Sequence, residues 1–124
     1  VTDKVIDASA LAAIAFQEAE EIDMRARLRG KRLCAPSLIR FELANVCLKK
    51  IKREPTLRAE LTEQHTRSLA IAVDEFEVDQ AEVLSVAQGT RLSAYDASYL
   101  WLARYLGIEL VTLDQRLQKA AAKI

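Results

Sequence analysis

An α/β domain with a mostly parallel sheet is what this sequence predicts, and three observations carry the prediction. Short apolar segments of strand character alternate with longer helical ones along the chain, the order that builds strand–helix–strand crossovers. Acidic residues follow the first and last predicted strands, Asp7 at once and Asp114 after one residue, where sheets of this kind place their ligand sites. The 124 residues, 51% hydrophobic and 29% charged, suffice for one domain over 1–124 with a real core and are too few for two.

Taken in order, Lys4-Val5-Ile6 is the first predicted strand, and a helix follows from Ser9 to Glu20, a segment led by Ala, Leu and Ile. A short helix covers 21–28 and stops at Gly30. Arg32-Leu33-Cys34 is the second strand. Pro36 and Ser37 open a helix to Arg53, with Ser37 as its N-cap and Pro55 marking its end. Thr56 starts another helix to Ser68. The stretch 71–78, with Ile71, Val73, Phe76 and Val78, predicts a third strand. Asp79 caps a helix to Gly89, and Ser93 caps a strongly apolar helix to Leu106 that Gly107 ends. Glu109 to Thr112 forms the last strand, and Asp114 caps a C-terminal helix. The chain stops at Ile124 soon after, so a further edge strand is expected to be very short or missing, leaving four or five strands.

Composition removes several function classes. Eighteen basic and eighteen acidic residues give no net charge, so polyanion binding would have to come from local segregation of charge. The stretch from Val5 to Phe16 is broken by Asp7 and Ser9 and is too short to span a membrane, and Asp3 argues against a signal peptide; no membrane partner is expected. Cys34 and Cys47 form no CxxC pair, which excludes zinc ribbons and disulfide scaffolds and makes a reducing cytoplasm the simplest compartment. Gly30, Gly89 and Gly107 cannot make a GxGxxG or Walker loop, and no GxSxG elbow is present. His65 is the sole histidine, so no mechanism can rest on a histidine pair.

The acids carry the chemistry. Asp7 follows the first strand and Asp114 the last, and parallel strands would put both on one sheet edge. Each also suits a plain helix N-cap. Asp96 sits in the first turn of the apolar helix, and its helical neighbours Leu92, Ser93, Tyr99 and Leu100 include no base. It completes either a capping box with Ser93 or a cation site, and the two are compatible. Glu42 shares a helical stripe with Asn45, Lys49 and Lys52, which by itself reads as a solvated face. Together the four acids make a cluster that would stay ionised only with a cation, and an all-oxygen donor set selects Mg²⁺ or Mn²⁺ over zinc. Such an ion suits phosphoryl chemistry.

Four motifs in order give a resemblance that runs through nearly the whole chain: VIDASAL at 5–11, Pro-Ser-x-x-x-x-Glu ending at Glu42, LSAYDASYLWLA at 92–103 and LVTLD at 110–114. Together they resemble a PIN domain, and more narrowly the VapC-type toxin ribonucleases of toxin–antitoxin pairs. The resemblance implies a three-layer α/β/α sandwich around a central parallel sheet. It implies an endoribonuclease in which Asp7, Glu42, Asp96 and Asp114 bind Mg²⁺ or Mn²⁺, metal-activated water attacks the phosphodiester, and a 5′-phosphate and 3′-hydroxyl are left. Ser9 and Thr112 match hydroxyl positions that support the acids, and Asn45 is a further supporting candidate. A homodimer and a cognate antitoxin are implied as partners.

Basic residues concentrate in two runs, Arg25, Arg27, Arg29, Lys31, Arg32 and Lys49, Lys50, Lys52, Arg53. Either is a solvated helix face or a source of phosphate contacts beside the acids, with Lys49, Lys52 and Arg53 as RNA-binding candidates. Tyr95, Tyr99, Trp101 and Tyr105 read mainly as core, as do Phe16, Phe41 and Phe76; His65 reads as surface and the cysteines as buried thiols. Two alternatives stay open. One is a Mg²⁺-dependent phosphoryl-transfer domain of the receiver or haloacid-dehalogenase sort, although Asp7-Ala8-Ser9 lacks the dehalogenase Asp-x-Asp and Val73-Asp74 is a poor phospho-acceptor match. The other is an inactive PIN-like module that binds RNA without cutting it.

Overall fold

A computed structural model of the chain describes residues 3–123. Four strands, β1 (Asp3–Ile6), β2 (Arg32–Pro36), β3 (Asp74–Phe76) and β4 (Glu109–Val111), form one sheet in the order β3-β2-β1-β4. Every pairing is parallel, with Val5 opposite Cys34 on one side and Leu110 on the other. Seven helices fill the connections: α1 (Ala8–Ala15), α2 (Glu21–Leu28), α3 (Ile39–Arg53), α4 (Arg58–Ser68), α5 (Gln80–Thr90), α6 (Ala94–Leu106) and α7 (Gln115–Ala122). Among the described residues no strand follows α7, and Ile124 lies outside them.

Crossover handedness explains the layers. The chain steps from β1 to β2 to β3 in one direction, then jumps back past β1 to β4. Right-handed crossovers put α1–α4 on one face and send α5 and α6 over the other. The packing agrees: α1 contacts α2, α3 and α4, while α6 lies across β1, β2 and β4 with α5 and α7 beside it. The result is the three-layer α/β/α sandwich with a four-stranded parallel sheet. Val5, Ile6, Leu11, Ile39, Leu43, Leu100 and Leu102 are buried between the layers. No helix among the described residues is long and apolar enough to cross a membrane.

Several element boundaries differ from the sequence prediction, each for a local reason. The first helix stops at Ala15 because Phe16 leaves helical geometry and Gln17 adopts a left-handed φ of 52°, so it does not reach Glu20. Ser37 is not an N-cap: Leu38 holds that position without a side-chain bond, and the Ser37 hydroxyl donates to the Phe76 carbonyl at 3.3 Å, tying α3's entry to β3. A single 3₁₀ turn over Pro55–Leu57 separates α3 from α4. Only Asp74–Phe76 of the 71–78 stretch pairs as strand, because β3 is an edge and β2 offers partners from Cys34 onward only. The capping expectations for Asp79, Ser93, Gly107 and Asp114 agree with the structure.

The aromatic expectations need more revision. Tyr99 is buried, but Tyr95 is 65% and Tyr105 71% exposed, so α6 is not apolar all round. Phe41 is 78% exposed and Leu48 also faces outward; α3 buries only Ile39, Leu43 and Cys47, leaving the next residues along its surface to solvent. Phe16 and both cysteines are buried as expected. His65 is half-buried rather than on the surface, and its Nε2 has no hydrogen-bond partner among the described residues.

Candidate active site

The strand order reverses between β1 and β4, and a crevice at the carboxyl ends of such strands is where open α/β sheets bind ligands. Asp7 leaves β1 at that point and Thr112 to Asp114 leave β4 beside it. The Asp7 amide donates to the Val111 carbonyl at 3.4 Å, joining the two strand ends.

Asp7 is 5% exposed and fully engaged. Its Oδ1 accepts from the Ser9 hydroxyl at 2.7 Å and from the Ala10 amide at 3.1 Å, the latter making it the N-cap of α1. Its Oδ2 accepts from the Thr112 hydroxyl. The hydroxyls are themselves fixed: Ser9 Oγ accepts from the Leu113 amide at 2.9 Å and Thr112 Oγ1 from the Asp114 amide at 3.0 Å. Burial pushes the Asp7 carboxyl above the ordinary carboxylate range, and the bonds from Thr112, Ser9 and Ala10 oppose that push.

The other three acids arrive on separate helices. Glu42 lies in the first turn of α3, half-buried, with Oε1 accepting from the hydroxyl of Tyr99. Burial raises its pKa, the Tyr99 bond lowers it, and the charges of Asp96 and Asp7 raise it further. Asp96 stands in the first turn of α6, where its amide donates to Ser93 Oγ at 3.1 Å. Its pKa is raised by burial and then by the charge of Asp114, against Ser93 and Arg116, which lower it. Asp114 caps α7, its Oδ1 accepting from the Leu117 amide at 3.0 Å. So Asp7, Glu42 and Asp96 come within electrostatic reach of one another, and Asp114 within reach of Asp96.

The remaining sequence candidates are placed less centrally. Asn45 is exposed, and its side chain makes no hydrogen bond among the described residues. Lys49, Lys52 and Arg53 are exposed on α3, but α3 runs back from the carboxyl edge of the sheet, which puts Lys52 about 15 Å along the helix from Glu42. The first basic run lies at the sheet's opposite edge, not beside the acids. There Arg32 pairs with Asp74 and, at 3.3 Å, with Asp3, and Arg27 pairs with Glu109 at 3.7 Å. Two side chains at the site were not foreseen as such. Tyr99 reads as core from the sequence, although its i, i+3 spacing from Asp96 puts both on one helical face. Arg116, two residues after Asp114, carries no sequence signal of its own.

As arranged, no three His, Cys, Asp or Glu side chains among the described residues form a group that would hold a metal ion. The chemistry of the donor set nonetheless fits a hard divalent cation. It is all carboxylate oxygen with hydroxyl support, Asp96 and Glu42 are each penalised by a neighbouring acid, and Arg116 relieves Asp96.

Comparison with known proteins agrees with this architecture. The chain is similar to a crystallised protein, PAE2754 from Pyrobaculum aerophilum, at 29% identity with a TM-score of 0.78, covering 98% of this chain and 86% of that one. It is also similar in fold to VapC20 of Mycobacterium tuberculosis, described as a sarcin–ricin-loop-cleaving toxin, at 15% identity with a TM-score of 0.67 and 94% coverage of both chains. No curated protein matches the sequence. The sequence model of the PIN domain matches residues 4–123, nearly the whole described chain, and the chain belongs to the PIN domain family.

Proposed function

We propose that this domain is a Mg²⁺- or Mn²⁺-dependent endoribonuclease, the toxin of a VapBC-type pair. PIN domains are generally nucleases that use divalent metals, and the family membership supports the reaction class. The observation that carries the reading is the electrostatic coupling of Asp7, Glu42, Asp96 and Asp114 at the β1/β4 switch point, where each of three acids has its ionised form disfavoured.

In this reading the four acids hold the ion. Bound there, the ion would supply a lowered pKa for water and an offset to the charge of the scissile phosphate. The rest falls to the chain's own groups. Ser9 and Thr112 hold Asp7 in one orientation and favour its ionised form. Tyr99 fixes the rotamer of Glu42, which orients the attacking water. Arg116 moderates the repulsion between Asp96 and its neighbour. The products are a 5′-phosphate and a 3′-hydroxyl. A cognate antitoxin, a homodimer and a cytoplasmic setting belong to the same proposal.

The test is cleavage of mixed RNA by the whole protein. Cleavage should require added Mg²⁺ or Mn²⁺ and stop with EDTA, and Asp96→Asn should lower the rate on the order of 100-fold or more. Wild-type rates in Asp7→Asn or Asp96→Asn would overturn the assignment.

A further inference from the structure

Between α5, α6 and α7 lies a groove of about 740 Å³ that the sequence reading did not anticipate. Arg91, Arg104, Arg116, Lys119 and Lys123 line it, and no acidic residue does. None of these five enters an ion pair among the described residues; Arg29, Lys31, Lys49, Lys52, Arg53 and Arg58 are unpaired too, but only the five gather around one concavity without an acid. A chain of zero net charge has thus gathered five cations without an ion pair around one concavity, and only Arg116 among them is offset by an acid of the site, Asp96. Their mutual repulsion is unfavourable unless an anion shares the groove.

The groove begins where the candidate active site ends. Arg116, whose charge acts on Asp96, also donates from Nη2 to the Arg91 carbonyl at 3.0 Å, fixing the loop that leads into α6. Asp114 caps the same helix that carries Arg116 and Lys119. Arg104 and Lys119 extend the positive surface away from the acids. Contacts of this kind hold a sugar–phosphate backbone in register without reading bases.

We infer that this groove binds the phosphate backbone of the RNA strand on one side of the scissile bond, positioning it for the acids. Naming RNA as the anion rests on the nuclease reading; binding by the groove itself needs neither the metal nor cleavage.

The experiment measures fluorescence anisotropy of a labelled mixed-sequence single-stranded RNA with the full chain in EDTA, across a range of salt. Arg104→Glu/Lys119→Glu changes two exposed side chains that hold no ion pair. It should weaken binding about 10-fold or more and reduce the steepness of the log–log salt dependence by about 1.4, from the loss of two phosphate contacts. Arg58→Glu/Arg67→Glu on α4, with the same change in net charge, should stay within about 2-fold of wild type. The neutral pair Arg104→Gln/Lys119→Gln repeats the test should the reversed pair fail to fold by its melting curve. An unchanged affinity and salt slope in the folded groove variants, or no RNA binding by the wild type, would overturn the groove. So would an acidic peptide of equal charge binding as tightly as the RNA. Groove-dependent binding without any cleavage overturns the nuclease reading alone, and normal cleavage with groove-independent binding overturns the groove alone.

Discussion

Thr112 links two of the acids through one hydroxyl. It is buried, donates to Asp7 and accepts from the Asp114 amide. Thr112→Val keeps the shape and removes both bonds, together with the 3.3 Å contact to the Ser9 hydroxyl. The cost should be about 1–3 kcal/mol, since a part-buried amide and a buried carboxylate oxygen each lose a partner. Because the Thr112 bond is the largest influence holding the Asp7 pKa down against burial, its loss raises that pKa. The acid limb of the cleavage pH profile should therefore move to higher pH, and Thr112→Ser should return it. Tyr99→Phe acts by the same logic on Glu42, whose pKa the phenol lowers. An acid limb unmoved in both Val and Phe variants would mean that neither carboxylate must be ionised for the reaction. At this scale the sequence was informative about the acids and less so about their partners. Asp7, Asp96 and Asp114 stand out because an acid follows a strand or opens an apolar helix. The role of Tyr99 depends on α3 and α6 meeting across the sheet's end, which no local pattern encodes.

Each of the three Asp residues at the site begins a helix or sits in its first turn, and the helix sets where it points. Asp7 and Asp114 cap α1 and α7 with one carboxylate oxygen each, so capping and site formation are one arrangement and not competing explanations. The helix ends matter equally. Gly107 terminates α6 with φ of 68° and has open space around its Cα, so Gly107→Ala meets no steric neighbour and reports backbone strain alone. Its expected cost is about 1–2 kcal/mol, read as a melting-temperature drop with cleavage per folded molecule unchanged; a variant as stable as wild type would remove the left-handed cap from the account of α6. Caps were the elements most legible in the sequence because Ser, Asp and Gly at helix ends act through local bonds. Ser37 was misread for the same reason in reverse. Its hydroxyl had a nonlocal carbonyl available on Phe76, thirty-nine residues away. Phe41 was misplaced because hydrophobicity does not reveal which α3 residues the sheet and α4 leave uncovered.

For the molecule as a whole, the acids at the β1/β4 crevice are a stability cost that a cation should remove. Asp7, Glu42 and Asp96 all have folded-state pKa values above their ordinary range, with burial the leading cause in each. A carboxyl with a raised folded pKa binds its proton more tightly folded than unfolded, so its contribution to stability is present at low pH and lost as pH rises through the folded value. Glu109 runs the other way, lowered by Lys4, but its effect is confined to pH below the ordinary glutamate range. In EDTA, the melting temperature should therefore be higher at about pH 4.5, within the ordinary carboxylate range, than at about pH 8. Asp96→Asn should raise the pH 8 value in EDTA by a few degrees, because it removes a charge that Asp114 opposes. Mg²⁺ at about 100 times its dissociation constant should add roughly 2.7 kcal/mol to the wild type at that pH, a shift on the order of 10 °C. The same addition should do far less for Asp96→Asn. The measurement is a set of melting curves at both pH values, with EDTA or Mg²⁺, for the two proteins. A wild type that gains stability with rising pH in EDTA, or an Mg²⁺ shift that survives intact in the variant, would mean that these acids do not share one ion, however close their positions at the end of the sheet.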